Sequence, residues 1–493
     1  MNLADALLAT AASDPQRVVL TGSSPVSYGE LLGRASALQA HVQPGARVAI
    51  VAGTEPAFLA AYLGVLRAGG VAVPLNVAAP SHELAREFAA VDPALVLASE
   101  QHGDLARRAV SQSANDVPVV IVGTETASAE TVDRQDSDLA VLLFTAGTGG
   151  APKPAMLTHG SLLANLEQMQ SHPGLRLHDD DVALGALPLF HVYGLNVVVG
   201  LTMIAGGAVA LVDHFHPAET LARVRSDKVS VIAAVPAIYD AWLTLDLDAA
   251  PASSFANVRL CVSGATSLSE PTAADFRTRF GVPIHNGYGL TEASPVVTTT
   301  AVESVPRPGS VGPPLPGIEV RLLDSDGQHV LEGDPGQIVV KGANVFAGYW
   351  NDAETTNAVI VDGWLQTGDI AIADRDGWLT LVDRAKDIII VSGFNVYPGE
   401  VEDAIRTHDD VQDVAVIGEP HPRTGETVVA FVVPREGCTP DPVELLRHAG
   451  RQLARYKLPT RVEVVDTLPR TLAGKVVRRA LGRETPDATT NPA

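Results

Sequence analysis

Short runs of branched apolar residues alternate with alanine-rich amphipathic stretches over about the first 300 residues. Arg47 to Asn76 reads as a strand–helix–strand unit. Val48 to Val51 is the first strand. Thr54 is placed to cap the helix, with Pro56 in its first turn. Gly69-Gly70 ends the helix and Val71 to Val73 forms the next strand. Apolar runs at Ala94 to Ala98 and Val117 to Val122 predict two more strands, and the same alternation recurs from Leu201 to Ile284. Strands alternating with helices imply parallel sheets covered on both faces.

The texture changes near residue 300, where Gly and Pro become dense. Asp374-Arg375-Asp376-Gly377 between two apolar runs predicts a hairpin turn. Beyond Asp387 the pattern is a smaller α+β region, with strands at Val414 to Ile417, Val428 to Val433 and Arg461 to Val465. A last helix is expected over Val476 to Leu481, and the polar tail from Glu484 is expected to be disordered. The expected fold class is α/β: a large N-terminal domain of two doubly wound sheets plus a β-rich subdomain, then a small α+β C-terminal domain.

Composition narrows the function. A hydrophobic content of 46% with 19% charged residues suits a globular chain large enough for several domains. The formal charge of −22 argues against nucleic acid and anionic membrane surfaces as partners. Cys261 and Cys438 are too few for a disulfide framework and suit a reducing cytoplasm. Val182 to Val212 carries no Asp, Glu, Lys or Arg, but its Pro188 and several glycines divide it into a motif loop, a buried helix and a strand, so stable membrane insertion is not expected. Met1 to Pro15 has no basic stretch and includes Asp5, unlike a secretory signal.

The chemistry starts at Thr145-Ala146-Gly147-Thr148-Gly149-Gly150-Ala151-Pro152-Lys153, which follows an uncharged strand-like run from Leu139 to Phe144. Glycines let backbone N–H groups approach an anion, threonines add O–H donors and the lysine adds a point charge. Pro154 follows the lysine, so this is not the Ser/Thr-terminated phosphate loop of P-loop enzymes. Alone, the segment could be an ordinary glycine-rich turn.

Six further segments follow in order. Pro188 to Gly194 sets His191 among apolar residues. Ser263-Gly264-Ala265-Thr266 is a strand-end turn, where open α/β sheets bind ligands. Asn286 to Glu292 combines Tyr288, two glycines and an exposed carboxylate able to hold Mg2+. Gly363 to Asp369 precedes the hairpin. Asp383-Arg384-Ala385-Lys386-Asp387 leads into Ser392 to Glu400, and Pro469 to Val476 places Lys475 on a turn. Each alone has a bland reading as a core residue, turn or charged surface.

Their ordered combination resembles the adenylate-forming superfamily, which includes acyl-CoA synthetases, luciferases and peptide-synthetase adenylation domains. The resemblance covers nearly the whole chain, to Leu481. It implies that ATP and a carboxylic acid form an acyl-AMP with release of pyrophosphate, and that a thiol then takes the acyl group. It implies a phosphate loop of Thr145, Gly147, Thr148, Gly150 and Lys153, with Glu292 on Mg2+ and Thr291 near the α-phosphate. It implies an adenine slot of Gly264, Ala265, Tyr288 and Gly289, and ribose contacts from Asp369 and Arg384. Lys475 would bridge the acid and the α-phosphate, Lys386 would be a hinge, and Gly393 would border the pantetheine tunnel. His191 would stand between the acyl pocket and the thiol route. The implied domains are 1–385, a mobile 386–483 carrying Lys475, and the tail 484–493.

Three residues depart from the family's loop pattern: Ala146 replaces a serine, Gly149 a threonine and Pro154 a glycine. Two hydroxyl donors are lost, each worth about 1.5–3 kcal/mol to a charged partner. A slower but working adenylation is expected. The acyl-pocket candidates, His191 to Val199, Val235 to Tyr239 and Ser294-Pro295, are apolar. Asp240-Ala241-Trp242 follows Tyr239 where malonyl-CoA synthetases carry an arginine, which argues against a dicarboxylic acid.

The expectation is therefore a carboxylic acid–CoA ligase for a fatty or other hydrophobic acid, with ATP, Mg2+ and coenzyme A. A fatty-acyl-AMP ligase and an aryl-acid ligase are the alternatives within the family, and a catalytically silent nucleotide or acyl-AMP binding protein is the alternative outside it. A cytoplasmic monomer or homodimer is expected, with peripheral membrane contact left open.

Overall fold

The computed structural model describes residues 1–113, 116–145, 153–246, 248, 250–384, 387–391, 394–470 and 476–481. The chain divides into two compact units: Met1–Val320 with Val339–Thr367, and Arg321–Ile338 with the residues from Gly368 onward. The division cuts the strands Ile318–Leu323, Gly336–Gly342 and Trp364–Ala373, so the β-rich region after residue 300 is shared between the units.

The first unit is built on two sheets. One has six strands in the order Val119–Ile121, Leu95–Ala98, Arg47–Val51, Val71–Pro74, Leu139–Thr145, Lys153–Thr158. All neighbours in it run parallel except the last pair, which is antiparallel. Its strands read as continuous Val/Ile/Leu runs because helices cover both faces. One face packs Val51, Val73, Leu84, Phe88, Val96 and Leu142 into a common core.

The other sheet has eight strands, with Val182–Gly185, Val231–Ala234, Leu260–Ser263 and Ile284–Gly289 at its centre. Beside it lies an aromatic cluster in which Trp242 and Phe255 meet edge-on at 5.5 Å and Tyr239 and Phe276 at 5.1 Å. Each such pair adds about 0.5–1.5 kcal/mol beyond area burial.

The expected helix after the first strand is present as Pro56–Arg67, but Thr54 does not cap it. Glu55 occupies the cap position without a side-chain bond, because Pro56 starts the helix one residue later than a Thr54 cap requires. The Thr54 amide instead donates to Asp213 Oδ1 at 2.9 Å. The uncharged stretch from Val182 resolves into strands Val182–Gly185 and Ala208–Leu211 around a π-helix, Tyr193–Gly200, and a short helical turn, Leu201–Ile204. Among the described residues no helix is long and apolar enough to cross a membrane.

Trp364–Ala373, the strand cut by the division, and Leu379–Arg384 form the predicted hairpin, with Gly377 at φ 79°. A further sheet runs Phe394–Val396, Ile389–Val391, Gly425–Pro434, Val411–His421, with Arg461–Val464 beside Gly425–Pro434. The expected helix over 476–481 is reduced to one 3-10 turn, Arg478–Ala480. Val476 instead pairs with Arg470 in an isolated antiparallel bridge, and the Arg478 guanidinium is tied to Glu402. Tertiary contacts here override local helix preference. The tail from Glu484 lies outside the described residues.

Candidate active site

The glycine-rich loop is closed at its neck. Thr145 faces Lys153 across the antiparallel pair of strands, and Thr145 Oγ1 donates to the Lys153 carbonyl at 3.2 Å. Gly147, Thr148 and Gly150, with Ala146 and Gly149, lie outside the described residues. Behind Lys153 the strand runs straight into helix His159–Ser171. Thr158 and Ser161 form a reciprocal capping box there. The lysine therefore stands on a sheet-and-helix base.

Lys153 Nζ donates to Asp352 Oδ2 at 2.6 Å and to Thr355 Oγ1 at 2.5 Å. The Lys153 ammonium, helped by the Thr355 amide, holds the Asp352 carboxyl down at about 2. Asp352 also caps helix Ala353–Val359, with Oδ1 accepting from the Thr355 amide.

Thr291 and Glu292 open a 3-10 turn just beyond strand Ile284–Gly289. The sequence suggests an exposed Glu292. In the fold it is half-buried, and Glu292 Oε1 accepts from Tyr349 Oη at 2.6 Å. Tertiary packing of the Phe346–Tyr349 segment covers it, and the Phe346 amide donates to the Glu292 carbonyl at 2.9 Å. Burial, with the Glu292 charge, pushes the Tyr349 phenol well above its ordinary value, so it remains a donor.

Among the described residues no three His, Cys, Asp or Glu side chains form a metal cage. Mg2+ commonly needs only one or two carboxylates and takes its other ligands from phosphates and water. A single carboxylate such as Glu292 fits an ion that arrives on a nucleotide. When bound, such an ion neutralises phosphate charge; Glu292 would hold it.

Gly264 follows strand Leu260–Ser263, and Ala265 takes a left-handed φ of 69°. A Cβ on Gly264 would lie 3.3 Å from the Tyr193 ring, so this glycine permits the close approach of an aromatic. Tyr193 starts the π-helix, and its Oη donates to the Val262 carbonyl at 3.3 Å. Tyr288 is buried in strand Ile284–Gly289 opposite Thr298, and Gly289 ends that strand.

His191 is half-buried, with its ring 4.6 Å from that of Phe190. Burial lowers its basicity, so the imidazole is neutral at pH 7. Val198, Val199 and Ile238 are buried. Tyr239, grouped with them in the sequence reading, belongs to the aromatic cluster instead. It is fully buried, and Tyr239 Oη donates to the Val262 carbonyl at 2.9 Å.

The second unit holds Asp369 and Arg384, which face each other directly in the register of the hairpin. Lys475, Lys386 and Gly393 lie outside the described residues. On either side of Lys475 in sequence, Arg470 pairs with Val476, and the Val477 amide donates to the Pro469 carbonyl at 2.7 Å.

Tyr349, Asp352 and Thr355 were missed in the sequence. The only local signal was Asp352 three residues before Thr355 at a helix start, a pattern that announces a cap and nothing about a lysine 199 residues away.

Residues 7–350 match the AMP-binding enzyme family, and residues 400–475 match the AMP-binding enzyme C-terminal domain. The chain belongs to the AMP-binding enzyme family. It is 35% identical over 477 residues to a feruloyl-CoA synthase of an Amycolatopsis species, covering 94% of each chain. It is 34% identical over 486 residues to a long-chain-fatty-acid–CoA ligase of Bacillus subtilis strain 168, covering 90% of this chain and 86% of that one. Among solved structures it resembles ATP-bound MatB from Rhodopseudomonas palustris, with a TM-score of 0.90, 33% identity and coverage of 97% and 98%. This AMP-binding enzyme is therefore an acyl- or aryl-acid ligase in class, with ATP, Mg2+ and coenzyme A as the small molecules of that chemistry.

Proposed function

We propose that this chain activates a hydrophobic monocarboxylic acid as its acyl-adenylate and transfers the acyl group to coenzyme A. The observations that support the reading are a lysine at the neck of a glycine-rich loop and the buried apolar side chains Val198, Val199 and Ile238. No basic side chain stands just beyond Tyr239. Asp240 is there instead, its carboxylate accepting from Thr272 Oγ1 at 2.7 Å.

In this reading Thr145, Gly147, Thr148, Gly150 and Lys153 bind the phosphates. Glu292 holds Mg2+, and Thr291 lies by the α-phosphate. Gly264, Ala265, Tyr288 and Gly289 line the adenine slot. Asp369 accepts from the ribose diol and Arg384 donates to it. Lys475 bridges the acid carboxylate and the α-phosphate, where exclusion of water strengthens its pull. Lys386 is the hinge between domains 1–385 and 386–483, Gly393 borders the thiol tunnel, and neutral His191 separates that tunnel from the acyl pocket.

A second reading, an aryl acid, is favoured by the likeness to a feruloyl-CoA synthase. The test is pyrophosphate release from ATP across straight-chain and aryl acids, with and without coenzyme A. Acid-dependent release that multiplies with coenzyme A is expected. Release indifferent to coenzyme A would point to a carrier-protein acceptor, and no release with any acid would overturn the reading in favour of a silent binding protein.

A further inference from the structure

The segment Phe346–Thr356 lies along the strand that follows the glycine-rich loop. The Ala347 amide donates to the Met156 carbonyl at 2.9 Å, the Met156 amide to Gly348 at 2.9 Å, and the Trp350 amide to Pro154 at 2.8 Å. Tyr349 is bridged antiparallel to Ala155. The segment thus adds a short extra strand beside Lys153–Thr158.

Its turn is specified locally. Gly348 has φ 121°, and a Cβ there would stand 2.4 Å from the Thr356 side chain. Thr356 Oγ1 in turn accepts from the Tyr349 amide at 2.8 Å and donates to the Asp352 carbonyl at 2.8 Å.

This one turn presents two side chains to two different charged groups. Tyr349 Oη donates to Glu292, and Asp352 accepts from Lys153. The Phe346 ring packs edge-on against Tyr349 at 5.0 Å, which limits the phenol's freedom. Lys153 Nζ lies 5.8 Å from the same Tyr349 ring. A lysine ammonium has three donors. Two are directed at Asp352 and Thr355, and among the described residues the third meets no further protein partner.

We propose that the Tyr349–Asp352 turn is a positioning brace, which holds the loop lysine Lys153 and the carboxylate Glu292 in one fixed relation for the Mg-nucleotide. The proposal rests on the reading of this site as a nucleotide-phosphate site. Asp352 directs the ammonium and also neutralises part of its charge. Tyr349 directs Glu292 without changing its charge. The brace therefore trades attraction for the nucleotide against direction at the reacting phosphate, and the two variants separate these effects.

Asp352→Asn keeps a good helix cap and removes the charge. The freed Lys153 should attract Mg·ATP more strongly but hold it less well directed. Calorimetric binding of Mg·ATP without acid should tighten about threefold, and kcat for acid-dependent pyrophosphate release should fall roughly tenfold. Tyr349→Phe removes only the hydroxyl. It should raise the Mg2+ concentration giving half-maximal ATP binding about threefold to tenfold, at unchanged thermal midpoint.

A fall in the thermal midpoint accompanied by weaker ATP binding in both variants would make the turn merely structural and overturn the brace. Unchanged binding and unchanged kcat in Asp352→Asn would overturn it as well. A wild-type chain that binds Mg·ATP but releases no pyrophosphate with any acid would overturn the ligase reading alone, since the binding measurements on both variants still decide the brace. A wild-type chain that binds no Mg·ATP overturns both.

Discussion

Arg478 Nη2 donates to Glu402 Oε1 at 2.8 Å within the second unit, and Arg478 Nε reaches the Val416 carbonyl at 3.2 Å. Glu402 Oε1 also accepts from the Val416 amide at 2.8 Å. These bonds tie the residues just after Lys475 to helix Pro398–Arg406 and strand Val411–His421.

Arg478→Met should leave Glu402 buried without its cation. With the two side chains 25% and 12% exposed, a loss of about 2–3 kcal/mol is expected, discounted from a fully buried pair. Burial already raises Glu402 against the pull of Arg478, so removing Arg478 raises it further. An acid raised in the folded state stabilises at low pH and loses that stability as pH climbs. The defect should therefore be larger at pH 8 than at pH 5. Thermal unfolding at the two pH values checks this, and Arg478→Met with Glu402→Gln should recover part of the loss.

Glu87 offers a second pH test. Burial, with Glu83 on the same helix, pushes it up from 4.5 to about 7. Its Oε2 has no hydrogen-bond partner among the described residues. The folded state then binds the proton more tightly than the unfolded one. The stabilisation is complete below about pH 4.5 and disappears as pH rises through about 7. Glu87→Gln should unfold later than wild type at pH 8, by about 3 kcal/mol, and no later at pH 4. Equal shifts at both pH values would show that Glu87 is not the group responsible.

Lys475→Ala separates the two half-reactions. Acid-dependent pyrophosphate release should fall by roughly a hundredfold or more, the scale of a lost charge contact in a closed site. Thioester formation from supplied acyl-AMP should survive within a few-fold. Equal loss of both would remove Lys475 from its proposed role in adenylation.

The loop departures predict a gain of rate. Ala146→Ser with Gly149→Thr restores two hydroxyl donors, and pyrophosphate release should rise up to about tenfold, with the nucleotide rather than the acid showing the lower KM. An inactive natural chain beside an active double variant would instead mean that the loop as it stands is incompetent.

Gly264→Ala tests the adenine slot. The added Cβ would meet the Tyr193 ring at 3.3 Å, a contact that requires one of them to give by a few tenths of an ångström. KM for ATP should rise with either class of acid, while the ranking of aryl against straight-chain acids stays the same, read from paired progress curves. An unchanged KM for ATP would place Gly264 outside the adenine slot.

Much of this protein was legible from residue order. Alternation of apolar runs and amphipathic stretches marked the parallel sheets, because a strand covered on both faces must be apolar throughout. Gly377 in Asp374–Gly377 marked a hairpin, and the uncharged run Leu139 to Phe144 marked the strand Leu139–Thr145 that leads into the glycine-rich loop. Local pattern failed where distant chain segments compete for the same residue. Val476 to Leu481 gave up its helix to Arg470 and Glu402, and Tyr239 left the expected pocket wall for an aromatic core.

By itself the sequence determined which faces are apolar, where the chain turns and which chemical groups the loops carry, since those follow from side-chain type and local backbone freedom. Only the tertiary structure decided the partners of the charged groups: Lys153 with Asp352, 199 residues on, and Glu292 with Tyr349, 57 residues on. The physical reason is that periodicity sets which way a side chain points from its own element, whereas the partner depends on which other element is packed beside it.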